Sequence, residues 1–455
     1  MRIPTNDALA ALGGIVVNRE HLPATIAVST DTREIRPSET FLALRGERFD
    51  GHRFVADAIA AGASAAIVDD AGALPDGQAG IVVGDTLAAY LNLGALARDR
   101  VRGPVIAISG STGKTTTKTL AVRAFEAAGR PATATPENEN NEIGVAKFLL
   151  SLDEGDQRPA IVEFGARKYR DLEPLVRAAR PDIAVLTNIG DAHLEIMGSR
   201  ERLAETKWGL FALGAQAVLN LADAVSRERV ATLAAPPVWF GIDAERPPDG
   251  ARAVIVRIDD LLAIAADETR ALPLHVDLPG DYNRRNLAAA LAAAWAVDTD
   301  PAAVTAAAPH FELPHGRYER MRIAGGPAII YDAYNASMSG ALATLSAFAR
   351  ERVGGRRIVV LGSMAELGQD AGPMHERVGA AAAESADIVL AGGAFATSLA
   401  AGARAAGLAP AALIAYQSND EAIAWLREHV RPDDVVLLKG SRMYRMEQIV
   451  AGLSA

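Results

Sequence analysis

The stretch from Val105 to Thr116 constrains the fold of this chain more than any other part of the sequence. Residues 105–109 (VIAIS) form an apolar run of strand length, and a helical stretch follows shortly after it. The residues of the connecting segment are Gly110, Ser111, Thr112, Gly113, Lys114, Thr115 and Thr116. Glycines let backbone N–H groups approach phosphate oxygens, and the N-terminus of a helix favours an anion. Because Lys114 can reach the outer phosphates and Thr115 can bind Mg²⁺, the stretch predicts a nucleotide-phosphate loop.

The glycine spacing of this loop is unusual. The common pattern has a glycine, four further residues and then the Gly-Lys pair, and the position of that first glycine is Ile108 here. The loop is therefore a shortened variant in the expected strand–loop–helix context. Such a loop occurs in motors, switches, kinases and ligases alike, so the rest of the chain must decide between them.

The length of the chain and its alternation of apolar runs with helical stretches predict an α/β protein of several domains. A chain of 455 residues exceeds one ordinary domain, and we expect two or three. Apolar runs at 105–109, 160–164, 183–188 and 217–220 alternate with helical stretches, which is typical of a parallel sheet covered on both faces. Gly103-Pro104 and the proline-containing segment 309–316 are candidate boundaries. We predict domains at 1–101, 102–313 and 314–455, the last of them a Rossmann-like α/β unit.

Composition excludes several classes of protein. The net charge is -10, and a nucleic-acid binder would normally carry a basic face. The chain has no cysteine, which excludes disulfides and thiol catalysis. No apolar run is long enough for a signal peptide or for a membrane span, so a cytoplasmic enzyme is the expectation.

Three polar residues of the central region are candidates for metal or phosphate chemistry. Glu163 stands at the end of the strand predicted at 160–164, and a carboxylate there suits Mg²⁺, although a surface glutamate is as good an interpretation. His193 follows the next predicted strand, and a lone histidine is more often structural. Lys207 lies on a predicted helix, where spacing alone favours a solvated side chain.

Further short motifs stand in order along the chain: STDTR at 29–33, FLALRGERFDGHRF at 41–54, ENENNEIGVAKFLL at 137–150, DAYNA at 332–336, MAELG at 364–368 and LKGSR at 438–442. Together with the phosphate loop and the three central candidates, they resemble the Mur ligases, ATP-dependent amide-forming enzymes of peptidoglycan precursor synthesis. The resemblance covers essentially the whole chain and points to the MurF type. One position departs from it, because Ser363 stands where the family usually has aspartate. The Asp-Asn-Pro-Arg motif of the diaminopimelate-adding ligases is absent from the sequence.

The resemblance implies roles for the candidate residues. The N-terminal domain would bind a UDP-sugar through Ser29, Thr30, Arg33, Gly51 and His52, which otherwise form polar turns. Asn138 and Asn141 would help to hold nucleotide and metal. Glu163 would bind Mg²⁺ together with Thr115, His193 would bind a second Mg²⁺, and Lys207 would become a metal ligand if it were carbamylated.

The same resemblance implies residues that reach ATP from the C-terminal side. Asn286 would contact adenine, and Arg317 and Asp332 would act as phosphate clamp and ribose partner, with Asn335 beside them. Lys114, His193, Lys207 and Arg317 would be the catalytic residues. Lys439, Ser441 and Arg442 would serve the incoming dipeptide or the closed arrangement of the domains, unless they are only a solvated basic loop.

The implied reaction joins D-alanyl-D-alanine to UDP-N-acetylmuramoyl-tripeptide at the expense of ATP, through an acyl phosphate, in a monomer whose C-terminal domain closes over the site. Two alternatives remain at this point. One is another ligase of the family or a folylpolyglutamate synthase. The other is a P-loop protein that uses ATP as a conformational switch and forms no joined product.

Overall fold

The largest sheet of the molecule carries the phosphate loop. The computed structural model describes residues 1–46, 49–191, 194–265, 268–307 and 310–454. The sheet has nine strands in the order β11-β12-β10-β13-β14-β15-β16-β17-β18. Their bounds are β10 (Val105–Ser109), β11 (Thr133–Ala134), β12 (Ala160–Glu163), β13 (Ile183–Leu186), β14 (Gln216–Asn220), β15 (Val238–Ile242), β16 (Arg252–Val256), β17 (Asp260–Ala265) and β18 (Glu268–Pro273). All pairs from β11 to β16 are parallel, whereas β17 and β18 extend the edge as antiparallel strands.

Helices cover both faces of this sheet because alternate residues of each buried strand point to opposite sides. Ile106 and Ile108 pack in one core, while Val105 and Ala107 pack in another. The helices are α4 (Lys114–Ala127), α5 (Glu142–Ser151), α6 (Leu172–Ala179), α7 (Leu194–Met197), α8 (Arg200–Trp208), α9 (Ala224–Arg229), α10 (Gly280–Ala296) and α11 (Pro301–Ala306). Helix α10 is buried around most of its circumference, which its alanine-rich sequence allows.

The N-terminal part of the chain contains a smaller sheet that packs against helix α5. Its order is β2-β9-β8-β5-β4, parallel except for β2. The strands of this part are β1 (Ile3–Pro4), β2 (Ile15–Val17), β3 (Thr25–Ile26), β4 (Val28–Ser29), β5 (Thr40–Leu42), β6 (Arg45–Gly46), β7 (Phe49–Asp50), β8 (Ala65–Val68) and β9 (Gly80–Val82). Its helices are α1 (Thr5–Leu12), α2 (Val55–Ala60) and α3 (Thr86–Arg100). Ala146 and Leu150 of α5 belong to the same core as Ile67 and Leu93, which joins this part to the central sheet.

The C-terminal part is a third α/β unit. Its sheet has the order β19-β20-β24-β21-β22-β23, parallel except for β19. The strands are β19 (Glu319–Arg322), β20 (Ala328–Tyr331), β21 (Arg357–Leu361), β22 (Ile388–Gly392), β23 (Leu413–Tyr416) and β24 (Val435–Lys439). Helices α12 (Met338–Phe348), α13 (Ala371–Ser385) and α14 (Ala396–Ala405) cover one face, and α15 (Asn419–His429) and α16 (Glu447–Ser454) cover the other.

The predicted α/β class is confirmed, and the strand at 105–109 is found with the predicted bounds. The apolar run at 183–188 forms a strand that ends at Leu186, earlier than predicted. The domain boundaries at 101/102 and 313/314 stay predictions. Within the described residues, no helix is long and apolar enough to cross a membrane.

Candidate active site

The phosphate loop leads from β10 into the first turn of α4. The first N–H groups of any helix have no partner inside the helix, and Gly113 at the N-cap has no side chain that could cap them. These groups are therefore open to an anion, and the helix dipole favours one there. Lys114 folds back over the loop, with its Nζ donating to the carbonyl oxygen of Gly110 at 2.9 Å. Burial lowers the pKa of Lys114, while Glu163 acts to raise it.

The segment after β13 holds the loop in shape. Asn188 accepts the N–H of Thr112 at 3.1 Å and donates to the Thr112 hydroxyl at 2.8 Å. The hydroxyl of Thr187 donates to the carbonyl oxygen of Thr112 at 2.6 Å, and Ser111 N–H donates to the carbonyl oxygen of Asn188 at 3.0 Å. Because β13 ends at Leu186, these residues are free to turn towards the neighbouring loop. The early end of the strand therefore allows Thr187 and Asn188 to bond the phosphate loop.

Both glycines of the loop are required by their surroundings. At Gly113, φ is +83° and an added Cβ would lie 2.4 Å from Oδ1 of Asn286. At Gly110, φ is +145° and an added Cβ would lie 1.9 Å from the hydroxyl of Thr187. The shortened glycine spacing thus corresponds to two close approaches, one to the segment after β13 and one to α10.

We expect Gly113→Ala to raise the KM for ATP by about tenfold, because the methyl group must displace Asn286 from the loop. Gly129→Ala is a matched control, since φ there is +70° and an added Cβ meets nothing within 4 Å. Both variants carry backbone strain of roughly 1 kcal/mol. Steady-state kinetics in which the two variants raise the KM for ATP equally would contradict the packing argument.

Glu163 stands at the end of β12, next to the loop strand β10. Its Oε1 accepts from the Thr115 hydroxyl at 3.2 Å and from Asn140 at 2.9 Å. The ammonium group of Lys118 lies 3.2 Å from Oε2 and donates to the carbonyl oxygen of Thr135 at 2.8 Å. Burial acts to raise the pKa of Glu163, but Lys118 and Lys114 outweigh it and the pKa lies below its usual value. The carboxylate, which is 3 % exposed, is therefore ionised.

The donor set around Glu163 fits a magnesium ion. No described donor makes a hydrogen bond to Oε2 of Glu163, although Lys118 is close, and the atom is buried. Mg²⁺ prefers oxygen ligands, usually one or two carboxylates with substrate phosphates and water. A buried carboxylate oxygen without a hydrogen bond, beside a threonine hydroxyl at a phosphate loop, has the chemistry that this ion requires.

His193 and Lys207 are the two remaining candidates for metal ligands. His193 lies outside the described residues. Lys207 is 1 % exposed on α8, and its ammonium group makes no hydrogen bond or ion pair among the residues described. Burial, and then the charge of Lys114, lower the pKa of Lys207 well below its usual value. The interpretation of Lys207 as a solvated lysine is therefore wrong.

Asp332 and Lys439 meet at the ends of the adjacent strands β20 and β24. Lys439 Nζ donates to Oδ2 of Asp332 at 2.9 Å and to the carbonyl oxygen of Asn335 at 3.1 Å. The hydroxyl of Thr344 also donates to Oδ2, and the N–H of Tyr318 donates to Oδ1 at 3.2 Å. A carboxylate has about four acceptor sites, so Asp332 keeps room for a further donor such as a ribose hydroxyl.

Tyr334 joins the C-terminal unit to the central one. Its hydroxyl donates to Oδ1 of Asn138. The guanidinium of Arg317 lies 4.4 Å from the centre of the Tyr334 ring, and that of Arg442 lies 5.1 Å from it. Such cation–π contacts orient an arginine without neutralising its charge. Arg317 is thereby held beside the phosphate loop, where its charge contributes to the lowered pKa of Lys114.

These side chains line one cavity of about 550 Å³ between the central and C-terminal units. The predicted residues found along its wall are Ser111, Thr112, Gly113, Lys114, Thr115, Thr116, Asn138, Glu163, Asn286, Arg317, Asp332, Asn335 and Lys439. Gly110 lies at the base of the same loop. Lys207, Ser441 and Arg442 do not line the cavity. The N–H of Ser441 donates to the carbonyl oxygen of Ser363 at 3.3 Å, so Ser441 braces a loop of the C-terminal sheet.

The residues predicted for the UDP-sugar lie in the N-terminal unit, away from this cavity. Ser29 bonds the backbone of residue 31, and Thr30 is half-buried beside it. Arg33, with 85 % of its side chain exposed, pairs with Asp31, whose pKa this contact lowers to about 2. The side chain of His52 is 7 % exposed, and its Nε2 accepts the N–H of Asp69 at 3.0 Å. At Gly51 an added Cβ would lie 2.7 Å from the carbonyl oxygen of Leu44.

The contacts of Lys118, Asn140 and Thr187 at this site were not predicted from the sequence. Tyr334 was expected beside Arg317 and Asp332, but its hydrogen bond to Asn138 was not. Asn141, which was expected to hold nucleotide and metal, instead accepts the N–H of Gly144 and caps helix α5. The neighbouring Asn140 is the residue that reaches Glu163.

Comparison with known proteins agrees with this architecture. Three family profiles match in order: "Mur ligase family, catalytic domain" at 26–105, "Mur ligase middle domain" at 108–294 and "Mur ligase, glutamate ligase domain" at 316–442. The UDP-N-acetylmuramoyl-tripeptide--D-alanyl-D-alanine ligase of Synechocystis is 33% identical over 94% of this chain and 92% of its own length.

Solved structures are similar over the whole fold. A crystal structure of MurF from Acinetobacter baumannii matches with a TM-score of 0.86 and 27% identity, covering 100% of this chain and 99% of that one. MurF from Thermotoga maritima in complex with ADP matches with a TM-score of 0.78 and 26% identity, covering 94% and 96%. The chain therefore belongs to the Mur ligase family. Within that family it is of the MurF type.

Proposed function

We propose that this chain is the ATP-dependent ligase that joins D-alanyl-D-alanine to UDP-N-acetylmuramoyl-tripeptide and so completes the peptide of a peptidoglycan precursor. One observation carries the proposal. A cavity combines a phosphate loop with a buried carboxylate from the central sheet and with Arg317 and Asp332 from the C-terminal unit. It occurs in a chain that resembles ligases of this name over nearly its whole length.

The reaction consists of two substitutions, one at the γ-phosphorus of ATP and one at the acyl carbon. A terminal carboxylate oxygen of the tripeptide attacks the γ-phosphorus of ATP, which forms an acyl phosphate and releases ADP. The amine of D-alanyl-D-alanine then attacks the acyl carbon, the amide forms with loss of a proton, and inorganic phosphate leaves. Phosphoryl transfer depends mainly on positioning and on neutralising charge. Lys114 and Arg317 supply positive charge on the two sides of the phosphate position.

Magnesium would be held by Glu163 and Thr115, and it would neutralise charge on the outer phosphates of ATP. Lys118 supports that position because its ammonium group, 3.2 Å from Oε2, keeps Glu163 ionised. Tyr334 and Asn138 connect the two walls of the cavity. Closure of these walls would exclude water from an acyl phosphate that water would hydrolyse. As the family resemblance implies, we also propose a monomer that acts in the cytoplasm, where ATP is available.

Release of phosphate with each substrate omitted in turn tests the function. We expect phosphate from ATP only when UDP-N-acetylmuramoyl-tripeptide and D-alanyl-D-alanine are both present, in a one-to-one ratio with the joined product. A P-loop switch would release phosphate without D-alanyl-D-alanine and without a joined product, and that result would overturn the proposal. The same assay with other amino-acid substrates distinguishes the other ligases of the family.

We further expect Lys207 to carry a carbamate. The neutral amine adds to carbon dioxide with loss of one proton, and burial lowers the pKa of Lys207 so that more of it is neutral. A carbamate oxygen is an anionic ligand that suits Mg²⁺. Protein equilibrated with ¹³C-bicarbonate should show a carbamate carbon signal that Lys207→Arg lacks. An unchanged spectrum in the variant, or activity indifferent to bicarbonate, would remove this assignment.

A further inference from the structure

A second cleft, of about 1060 Å³, lies between the central and C-terminal units. On the central side it is lined by Leu194, Glu195 and Arg200, and on the C-terminal side by residues 364–371, Phe395 and Tyr444. Among the residues that the structure describes, none that lines this cleft also lines the ATP cavity. On the proposed function, ATP occupies the other cavity and the UDP-sugar belongs to the N-terminal unit. The incoming dipeptide is the remaining substrate, and Glu195 and Arg200 in this wall offer a carboxylate and a guanidinium group to its charged ends.

The wall formed by residues 364–371 is a loop in an unusual conformation. Glu366 has a φ of +60° and Gly368 a φ of +62°, so two positions lie in the left-handed region. The loop reaches the central unit, since a Cβ at Gly368 would lie 3.3 Å from Glu195. A strained loop keeps one shape only where its surroundings determine it. His375 makes hydrogen bonds at both ends of this loop.

His375 binds both ends of this loop from helix α13. Its Nε2 accepts the N–H of Met364 at 2.8 Å, and its Nδ1 lies 2.6 Å from the carbonyl oxygen of Ala371. A backbone amide can only donate, so Nε2 must be unprotonated and the neutral ring carries its proton on Nδ1. The ring also stacks on Phe395, another residue of the wall, at 4.4 Å between centroids.

The geometry points to neutral His375 as the positioning residue that holds the 364–371 wall of the dipeptide cleft, and to release of this wall when Nε2 gains a proton. A protonated Nε2 would face the N–H of Met364 with a second N–H, and the hydrogen bond would be lost. His375 touches no reacting atom. It acts through the loop, and the inference rests on the proposed function for the identity of the dipeptide.

The charged groups near His375 do not oppose this behaviour. Glu366 and Asp370 belong to the loop, and Glu376 and Arg377 flank the histidine on α13. Tyr444 lies across the cleft, where its hydroxyl accepts the N–H of Ala394. Burial lowers the pKa of His375, the carbonyl of Ala371 acts to raise it, and no charged side chain of the described residues contributes.

The wall formed by residues 364–371 should be released at low pH. Because the pKa of His375 is lower in the held loop than in a released one, the released loop binds protons more readily. The held wall keeps its full stability above a pH of about 6.5, the ordinary histidine pKa, and loses it as the pH falls below that value. We expect the KM for D-alanyl-D-alanine to rise about tenfold more between a pH of about 7.5 and about 5 in the wild type than in a non-titrating variant.

His375→Gln is that variant, because a glutamine amide offers an acceptor and a donor but does not titrate. The amine of D-alanyl-D-alanine itself titrates, so the quantity to compare is the ratio of the two proteins' KM values at each pH. The KM for ATP should follow the same pH profile in both proteins. His429→Gln is a matched control, since Nδ1 of His429 also bonds a carbonyl oxygen at 2.9 Å and its ring stacks on Trp425, but away from the cleft.

Parallel pH profiles for wild type and His375→Gln, or an equal shift in the KM for ATP, would overturn the role of His375. Failure to form joined product under any condition would instead count against the proposed function. Hydrogen exchange of the wild type tests the loop independently of activity and of any variant's folding. Protection of the Met364 amide should fall about tenfold at low pH while strand β21 keeps its protection. Equal behaviour of the two segments would also overturn the inference.

Discussion

Replacing Lys114 with methionine is expected to lower kcat about a thousandfold, close to 4 kcal/mol of transition-state stabilisation. Lys114 reaches back over the loop to the carbonyl of Gly110, and it must leave that position to meet the outer phosphates. Methionine keeps the length of the side chain but removes the charge that the transferred phosphoryl group requires. The KM for the tripeptide should change little, because that substrate binds elsewhere. Single-turnover ADP release measures the loss.

Arg123→Met is the matched control for this prediction. Arg123 lies on the same helix, is half exposed, and pairs with Glu126 one turn away. Removing its charge should leave kcat within about twofold, because exposed ion pairs contribute little. Similar losses in the two variants would show that Lys114 acts through the general stability or charge of α4, which contradicts the role given to it.

Glu163→Gln is expected to lower activity at least about a hundredfold at fixed magnesium and to raise the magnesium concentration needed for half-maximal rate. The substitution preserves shape but removes the charge of a buried carboxylate that Thr115, Asn140 and Lys118 surround. It also leaves the ammonium of Lys118 buried without a counter-charge, which costs about 3 kcal/mol. Magnesium titrations and thermal unfolding measure the two effects separately.

A double variant distinguishes these two effects of Glu163. Adding Lys118→Met to Glu163→Gln should recover most of the lost thermal stability, because no unpaired charge remains, but it should recover no activity. Glu139→Gln is the control, since Glu139 pairs with Lys147 in the same segment of the chain. Recovery of activity in the double variant would mean that Glu163 serves only as the partner of Lys118, and the proposed magnesium site would then be wrong.

The parts of the site that lie close together in sequence were predictable. A strand, a glycine-containing loop and a helix are consecutive, so their relation depends on local geometry alone. The position of Glu163 was predictable as well, because β12 and β10 are neighbouring parallel strands whose ends meet at one edge of the sheet. The ends of β20 and β24 bring Asp332 to Lys439 in the same way, although the sequence did not indicate that the two would pair.

Contacts that depend on how distant segments pack were not predictable. Tyr334 and Asn138 are 196 positions apart, and their hydrogen bond depends on the placement of the C-terminal unit. Lys118 follows the loop by one helical turn and resembles a solvated lysine until the position of Glu163 is known. The strand β18 alternates exposed and half-buried residues and has no apolar run. Its sequence therefore did not indicate the hairpin that it forms with β17. His375 lacked any motif of its own.

Transfer of an oxygen atom from the tripeptide to phosphate tests the central claim most directly. With both oxygens of the acceptor carboxylate labelled with ¹⁸O, attack on the γ-phosphorus leaves one labelled oxygen in the bridge of the acyl phosphate. Attack by the amine then expels that oxygen with the phosphate. Mass spectrometry should find one ¹⁸O in each inorganic phosphate and one in the new amide. Unlabelled phosphate alongside joined product would contradict phosphoryl transfer to the peptide carboxylate in the cavity between Lys114 and Arg317.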